Sequence, residues 1–301
     1  MYLLHPVARL SLSEFSVHPS TTIGIAIFAA AYIWRARQGP SAADRLPVTT
    51  TATTADANQL DLAAAPQGPT TGQKLAYFSS LALLFLTLNG PLHDLSDFYL
   101  FSGHMVQHLI LTLVVPPLMI FGTPGWMLRP ILRQPSLLAT AKKLTSITWC
   151  FVIFNVVLAF WHLPPLYNLA LANHGVHILQ HLMFIAASVL MWWPLMSPLP
   201  ELPRAAYPAQ MLYCFLMVIP MSIISIYIAM ADTLLYPAYA AAPRILGITP
   251  MQDQQYGGLI MWIPGGVFFY AVMTVVFFKW SNRGEDTEES AQVGWVPRAS
   301  A

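Results

Sequence analysis

Charge is what this chain has least of. Acidic and basic residues together make up 9% of its 301 residues while 56% are hydrophobic, whereas soluble domains carry roughly 25% charged residues. That balance excludes a water-soluble fold and makes lipid the solvent. A net charge of +1, with no basic cluster beyond pairs in short loops, gives no footing for nucleic acid. Cysteine is nearly missing. Cys150 and Cys214 are the only two, and both lie inside apolar runs, so neither a disulfide framework nor a Cys-x-x-Cys metal site is available. They read as small buried hydrophobes. A cleavable leader is also not indicated, because Arg35 and Arg37 follow the first apolar run instead of preceding it. The partners left open are membrane lipid, other membrane proteins and small ligands.

What is present is a series of apolar runs, each near the roughly 17–25 residues that cross a bilayer as a helix. The expectation is an all-α, polytopic helix bundle with seven spans at 17–35, 74–92, 102–121, 144–163, 175–197, 207–230 and 256–280. The first is the weakest, its uninterrupted core running only from Ile23 to Trp34. Pro116-Pro117, Pro220 and Pro264-Gly265-Gly266 interrupt spans three, six and seven, where kinks free backbone carbonyls. Lys and Arg fix the orientation, since cytoplasmic loops carry the excess. Arg35, Arg37, Arg45 and Lys74 follow span one, and Arg129, Arg133, Lys142 and Lys143 follow span three. Arg204 follows span five, and Lys279, Arg283 and Arg298 end the chain. Only Arg9 and Arg244 fall on the other side, which predicts an outer N-terminus and a cytoplasmic C-terminus. The expected organisation is an outer segment 1–16, a membrane domain 17–280 with a flexible cytoplasmic linker at 38–73, and a disordered acidic tail at 281–301.

In that topology all nine histidines lie on the outer side. Two phrases repeat: His104-Met105-Val106-Gln107-His108-Leu109 and His177-Ile178-Leu179-Gln180-His181-Leu182. A spacing of four puts both histidines of a phrase on one helix face, about 6 Å apart along the axis. Spans three and five run the same way, so the pairs share one depth and can face each other, with His162 closing span four nearby. His174 leads into span five, while His5, His18 and His93 read as solvated loop histidines. Neutral imidazole suits copper, zinc, iron or nickel. Thioethers at or just beneath this depth, Met105, Met183, Met230, Met251 and Met261, shift the choice toward copper.

Asp232 and Asp253, at the two ends of the longest outer loop, could orient imidazoles or ligate, or could end span six and cap span seven. The histidines could instead hydrogen-bond across helices through Gln107 and Gln180, forming a polar outer vestibule. Haem sandwiched by His108 and His181 is a further reading. A metallohydrolase is disfavoured because neither phrase contains the Glu of His-Glu-x-x-His. A permease is disfavoured because the inner halves of the spans hold almost no ionisable groups.

Taken together the motifs resemble the CtaG-type cytochrome c oxidase assembly factors of bacteria. They are His104-Met105-x-x-His108, Trp161-His162-x-Pro164-x-Leu166-Tyr167, His177-x-x-x-His181, Trp193-Pro194, Ala231-Asp232 with Tyr236-Pro237, and Asp253-Gln254 with Gly258-x-x-Met261-Trp262. The resemblance runs from about residue 17 to 280. It implies a non-enzymatic, multi-pass protein of the bacterial inner membrane with seven spans. Its partners would be oxidase subunits and periplasmic copper carriers, and its role delivery of copper or assembly of the copper centre. By motif position His104, His108, His162, His177, His181, Asp232 and Asp253 would carry that role, with Met105 and Met261 added by the thioether argument. A docking factor that stabilises an oxidase subunit without metal is the alternative within the same family. The unrelated single-span, cysteine-based copper chaperones are not a match, since no paired cysteine is present.

Overall fold

A computed structural model describes residues 15–41, 44 and 68–293, with side chains as far as residue 282. His5 and Arg9, the first fourteen residues, most of the linker and the last residues of the expected tail lie outside the described residues. Among those described there is no strand. The helices are α1 (Pro19–Gln38), α2 (Thr71–Thr87), α3 (Gly90–Phe98), α4 (Phe101–Gly122), α5 (Gly125–Leu132), α6 (Pro135–Leu144) and α7 (Ile147–His162). They continue with α8 (Pro164–Ala172), α9 (His174–Met196), α10 (Tyr207–Ala229) and α11 (Pro250–Val293).

By length and composition α4, α9, α10 and Pro250–Asn282 of α11 can each cross a membrane. The count rises to six if two bent pairs each form one span: α2 with α3, bent by 45°, and α6 with α7, bent by 70°. Seven spans were expected. The difference lies in α1, which is 20 residues long but dilutes its short apolar core with Ser20, Thr21 and Thr22 at one end and Arg35, Arg37 and Gln38 at the other. The last helix starts six residues before the expected span and runs on into the stretch read as a tail.

Two local decisions position the functional end of the bundle. The first is a turn after α2, where Gly90 takes φ 68°, a left-handed conformation that glycine adopts without a Cβ penalty. Asn89 locks this turn: its Oδ1 accepts from His18 N at 2.7 Å, its Nδ2 donates to Phe85 O at 2.9 Å, and Gly90 N donates to Ser16 O at 2.8 Å. The chain then continues as α3 instead of leaving the bundle, carrying His93 and Asp97 back over it. The second is a π-helical turn in α4 at Ile110–Val114, directly after His108. Pro116 and Pro117 have no N–H, so the Thr112 carbonyl loses its helical donor whether counted four or five residues on. Trp192 Nε1 of α9 fills that place at 2.8 Å, tying the two histidine-bearing helices together below the histidines. π turns of this kind recur at functional sites.

α10 packs along α11, α7 against α9, the first half of α4 against α11, and α2 against the second half of α4. Small residues permit the closest crossings: a Cβ on Gly122 would lie 2.5 Å from Tyr77 N, and one on Gly258 would lie 2.8 Å from Ala229 N. α1 joins through Tyr32, stacked on Tyr77 at 4.0 Å with its hydroxyl donating to Gly122 O. At the end of α4 and α9 remote from the histidines, the buried Asp44 pairs with Arg35 and Arg133, and Arg129 pairs with Glu201 at 2.9 Å. The charged and histidine-rich ends of the bundle are therefore opposite.

Candidate metal centre

α4 begins with an orphaned set of N–H groups, because its N-cap, Leu100, has no side-chain acceptor. Asp253, in the first turn of α11, supplies one from 152 positions away. Its Oδ2 accepts from Phe101 N at 2.7 Å, and its Oδ1 accepts from Ser102 N at 3.1 Å and Ser102 Oγ at 2.5 Å. A buried carboxylate on a helix N-terminus is favoured by both hydrogen bonding and the helix dipole. Asp253 was expected as a ligand or as the cap of its own helix. It caps α4 instead, with both oxygens occupied, and thereby sets the depth and rotation of the helix bearing His104 and His108. The adjacent Gln254 holds the outer loop: its Oε1 accepts from Leu235 N at 2.7 Å and its Nε2 donates to Thr233 O. Asp232 is exposed in that loop and belongs to neither group of ligand atoms described below.

The loop inserts two tyrosines over the site. Tyr236 stacks on Phe101 at 4.6 Å and donates to His162 O at 2.9 Å. Tyr239 donates to Ser96 O at 2.8 Å and meets Tyr167 Oη at 3.0 Å. All three rings are buried, and burial raises the ionisation of their hydroxyls well above the ordinary tyrosine value. They act as neutral donors and walls.

Beneath them the repeated phrases converge as their spacing and parallel course suggested. His104 and His108 lie 4.2 Å apart between ring centroids and His177 and His181 4.4 Å apart. Across the helices His104 is 5.9 Å from His177, and His108 is 5.8 Å from His181. His162 of α7 joins at 6.1 Å from His108. All five are buried. Yet both ring nitrogens of His104 and of His108, and Nε2 of His162, His177 and His181, have no hydrogen-bond partner. Each such atom costs on the order of 1–3 kcal/mol when left unsatisfied, and each neutral imidazole has one bare lone pair to offer. The vestibule reading, in which Gln107 and Gln180 satisfy the histidines, does not describe these atoms. Gln107 serves Ser96, Thr87 and His93, and Gln180 Nε2 is itself unpartnered.

Two groups of ligand atoms lie within 4.8 Å of one another: His104 with His108 and His181, and Asp97 with His104 and His177. Tetrahedral ligation at about 2.0–2.1 Å requires ligand atoms roughly 3.4 Å apart, a small contraction from such spacing. The residues therefore fit a transition metal by donor type, burial and geometry. Sequence reasoning missed Asp97 and placed His93 in solvent. In fact His93 is buried, 6.0 Å from His177. The Gln107 amide, oriented by donating to Thr87 O, also faces His93 Nδ1 at 3.2 Å, which puts the imidazole proton on Nε2, 3.5 Å from Asp97 Oδ2. Asp97 in turn stands 3.3 Å from His177 Nδ1 and 3.9 Å from His104 Nδ1. The i, i+4 spacing of His93 and Asp97 was the available signal, hidden because the bend at Gly90 could not be read. His18 is not a free loop residue either. Its ring packs on His93 at 4.4 Å and lies 6.0 Å from the exposed His174. Imidazoles thus run from the surface at His174 through His18 and His93 to the buried cluster.

The thioethers divide. Met105 and Met261 are buried beside His108 and His162, whereas Met230 is largely exposed and Met251 lies in the first turn of α11. Compared with known families, residues 58–283 match the model for the cytochrome c oxidase caa3 assembly factor. No curated protein and no solved structure matches the chain.

Proposed function

This chain belongs to the cytochrome c oxidase caa3 assembly factor family, and from that premise we propose that it binds copper at the outer histidine cluster and passes it to an oxidase subunit during assembly of the copper centre. The observation that carries the reading is the set of buried imidazole nitrogens without partners, drawn from α4, α7 and α9 beside the Asp97 carboxylate. Copper here is cargo. His104 belongs to both ligand groups, so an ion can exchange one set of neighbours for the other without leaving the site, which suits a carrier better than a closed structural centre. Asp97 orients His177 and His93 and offers a negative charge to an arriving cation. The string of His174, His18 and His93 gives that cation a route from the surface.

In this reading the protein spans the bacterial inner membrane, with α1 as the seventh span, the N-terminus outside and the cluster on the outer face. Periplasmic copper carriers would supply the ion. The arginine-rich opposite end supports the orientation. The protein acts as a binding partner of the oxidase and not as an enzyme. The alternative of haem between His108 and His181 predicts a Soret band in the purified protein, and a preparation without one removes it.

The test pairs chemistry with biology. Purified protein should take up copper, and His104→Ala/His181→Ala should bind at least one equivalent fewer and fail to restore oxidase activity in cells lacking the native gene. Unchanged copper uptake by the double variant would falsify the metal assignment. Lost oxidase activity with copper uptake retained would assign the cluster to docking instead.

A further inference from the structure

On the side of His108 that faces His162, α4, α7, α9, α10 and α11 enclose a small cavity. Its walls include His108, His162, Met105, Met221 and Met261, and the remaining lining is mainly apolar. Met221 follows the Pro220 interruption of α10, and its Sδ occupies space left open by Gly265 of α11, where a Cβ would lie 2.9 Å away. His162 Nδ1 lies 2.7 Å from Leu158 O. A carbonyl only accepts, so Nδ1 carries the proton and Nε2 keeps its lone pair. That Nε2 is buried and unpartnered, as are both nitrogens of His108. An imidazole fixed through one nitrogen by a carbonyl, with the other bare, is the arrangement metal-ligating histidines adopt.

Resting on the copper reading above, we propose that this cavity is a separate Cu(I) site, formed by His108 and His162 with thioethers drawn from Met105, Met221 and Met261. Three features distinguish it from the outer group. Its donors are all neutral, whereas one of the two outer ligand groups includes the Asp97 carboxylate. The cost of burying an ion rises with the square of its charge, so a neutral, dry pocket favours a monovalent ion over a divalent one by about fourfold in that term. Thioether sulfur selects Cu(I) among biological metals. At about 20 Å³ the cavity accepts one ion or one water and nothing larger. A water would use the imidazoles but gain little from three sulfurs. The outer group is then a receiving site open to either oxidation state, and the inner pocket a holding site for Cu(I), with His108 lining one and belonging to the other.

The experiment is anaerobic titration of the full-length protein with Cu(I) against a chromophoric chelator, with Cu K-edge absorption of the loaded protein and Zn(II) binding as a parallel measurement. Met→Leu swaps conserve volume and keep cores intact, so Met221→Leu/Met261→Leu should fold, as a monodisperse elution profile would verify. Expected are a sulfur shell in the wild type, its reduction to at most the Met105 sulfur in the double variant, a fall of at least tenfold in Cu(I) affinity, and unchanged Zn(II) binding. Asp97→Asn/His177→Ala should do the reverse, weakening Zn(II) while the sulfur shell persists. Copper held by nitrogen and oxygen alone in the wild type overturns the inner site and leaves the outer one standing. No copper in either oxidation state overturns both.

Discussion

Asp253→Asn separates the two roles that a buried aspartate beside a metal cluster can have. The substitution keeps size and shape but exchanges one acceptor oxygen for an NH₂ donor. Asp253 faces donors on both sides, Phe101 N at 2.7 Å and the N and Oγ of Ser102 at 3.1 and 2.5 Å. Whichever way the amide turns, its NH₂ therefore meets an N–H. One buried main-chain donor then loses its acceptor, at about 1–3 kcal/mol, and the negative charge at the N-terminus of α4 disappears, at about 0.3–1 kcal/mol. We expect a total destabilisation of about 1–4 kcal/mol, read as a lowered midpoint in thermal or denaturant unfolding of the detergent-solubilised protein. His104 and His108 lie within the first two turns after this cap, so metal affinity should weaken through misplacement, while full metal stoichiometry returns at saturating metal. Wild-type stability combined with the permanent loss of one metal equivalent would refute the capping argument and make Asp253 a ligand.

Other consequences can be checked alongside. Asp97→Asn retains the shape of α3 but removes the charge facing His93, His104 and His177. Metal affinity should fall about 10–100-fold with little change in unfolding midpoint, as measured by competitive titration. Trp192→Phe leaves the Thr112 carbonyl without a donor, because neither Pro116 nor Pro117 can replace the indole at 2.8 Å. It should cost about 1–3 kcal/mol, and hydrogen exchange should quicken around residues 110–114. An unaltered exchange pattern would argue against the tie between α4 and α9.

Several of the motifs read in the sequence take a physical reason from these contacts. Asp253-Gln254 secures two different neighbours, the aspartate holding the start of α4 and the glutamine holding the outer loop. Tyr236 and Tyr167 form the roof over the histidines, and Trp161 is packed in the core behind His162. The methionine beginning at His104-Met105 turns away from the outer ligand set toward the inner cavity, consistent with a position one residue on around the helix.

Composition and periodicity alone determined that the chain is a helical membrane protein, because scarce charge and long apolar runs have few other solutions in lipid. The repeated His-x-x-x-His phrases determined that each helix presents two imidazoles on one face, since 3.6 residues per turn leaves no alternative. Five of the clustered histidines could therefore be named in advance. Tertiary structure alone decided that Asp97 and His93 join them, because the bend at Asn89-Gly90 depends on contacts from Ser16 and His18, seventy residues earlier in the chain. It decided that Asp253 caps another helix than its own, since an acceptor's partner is fixed by which N-terminus lies within reach. It also brought Met105, Met221 and Met261, from three helices, to the lining of one cavity with His162. Helical periodicity sets the face on which a side chain lies, whereas the packing of helices sets what that face meets.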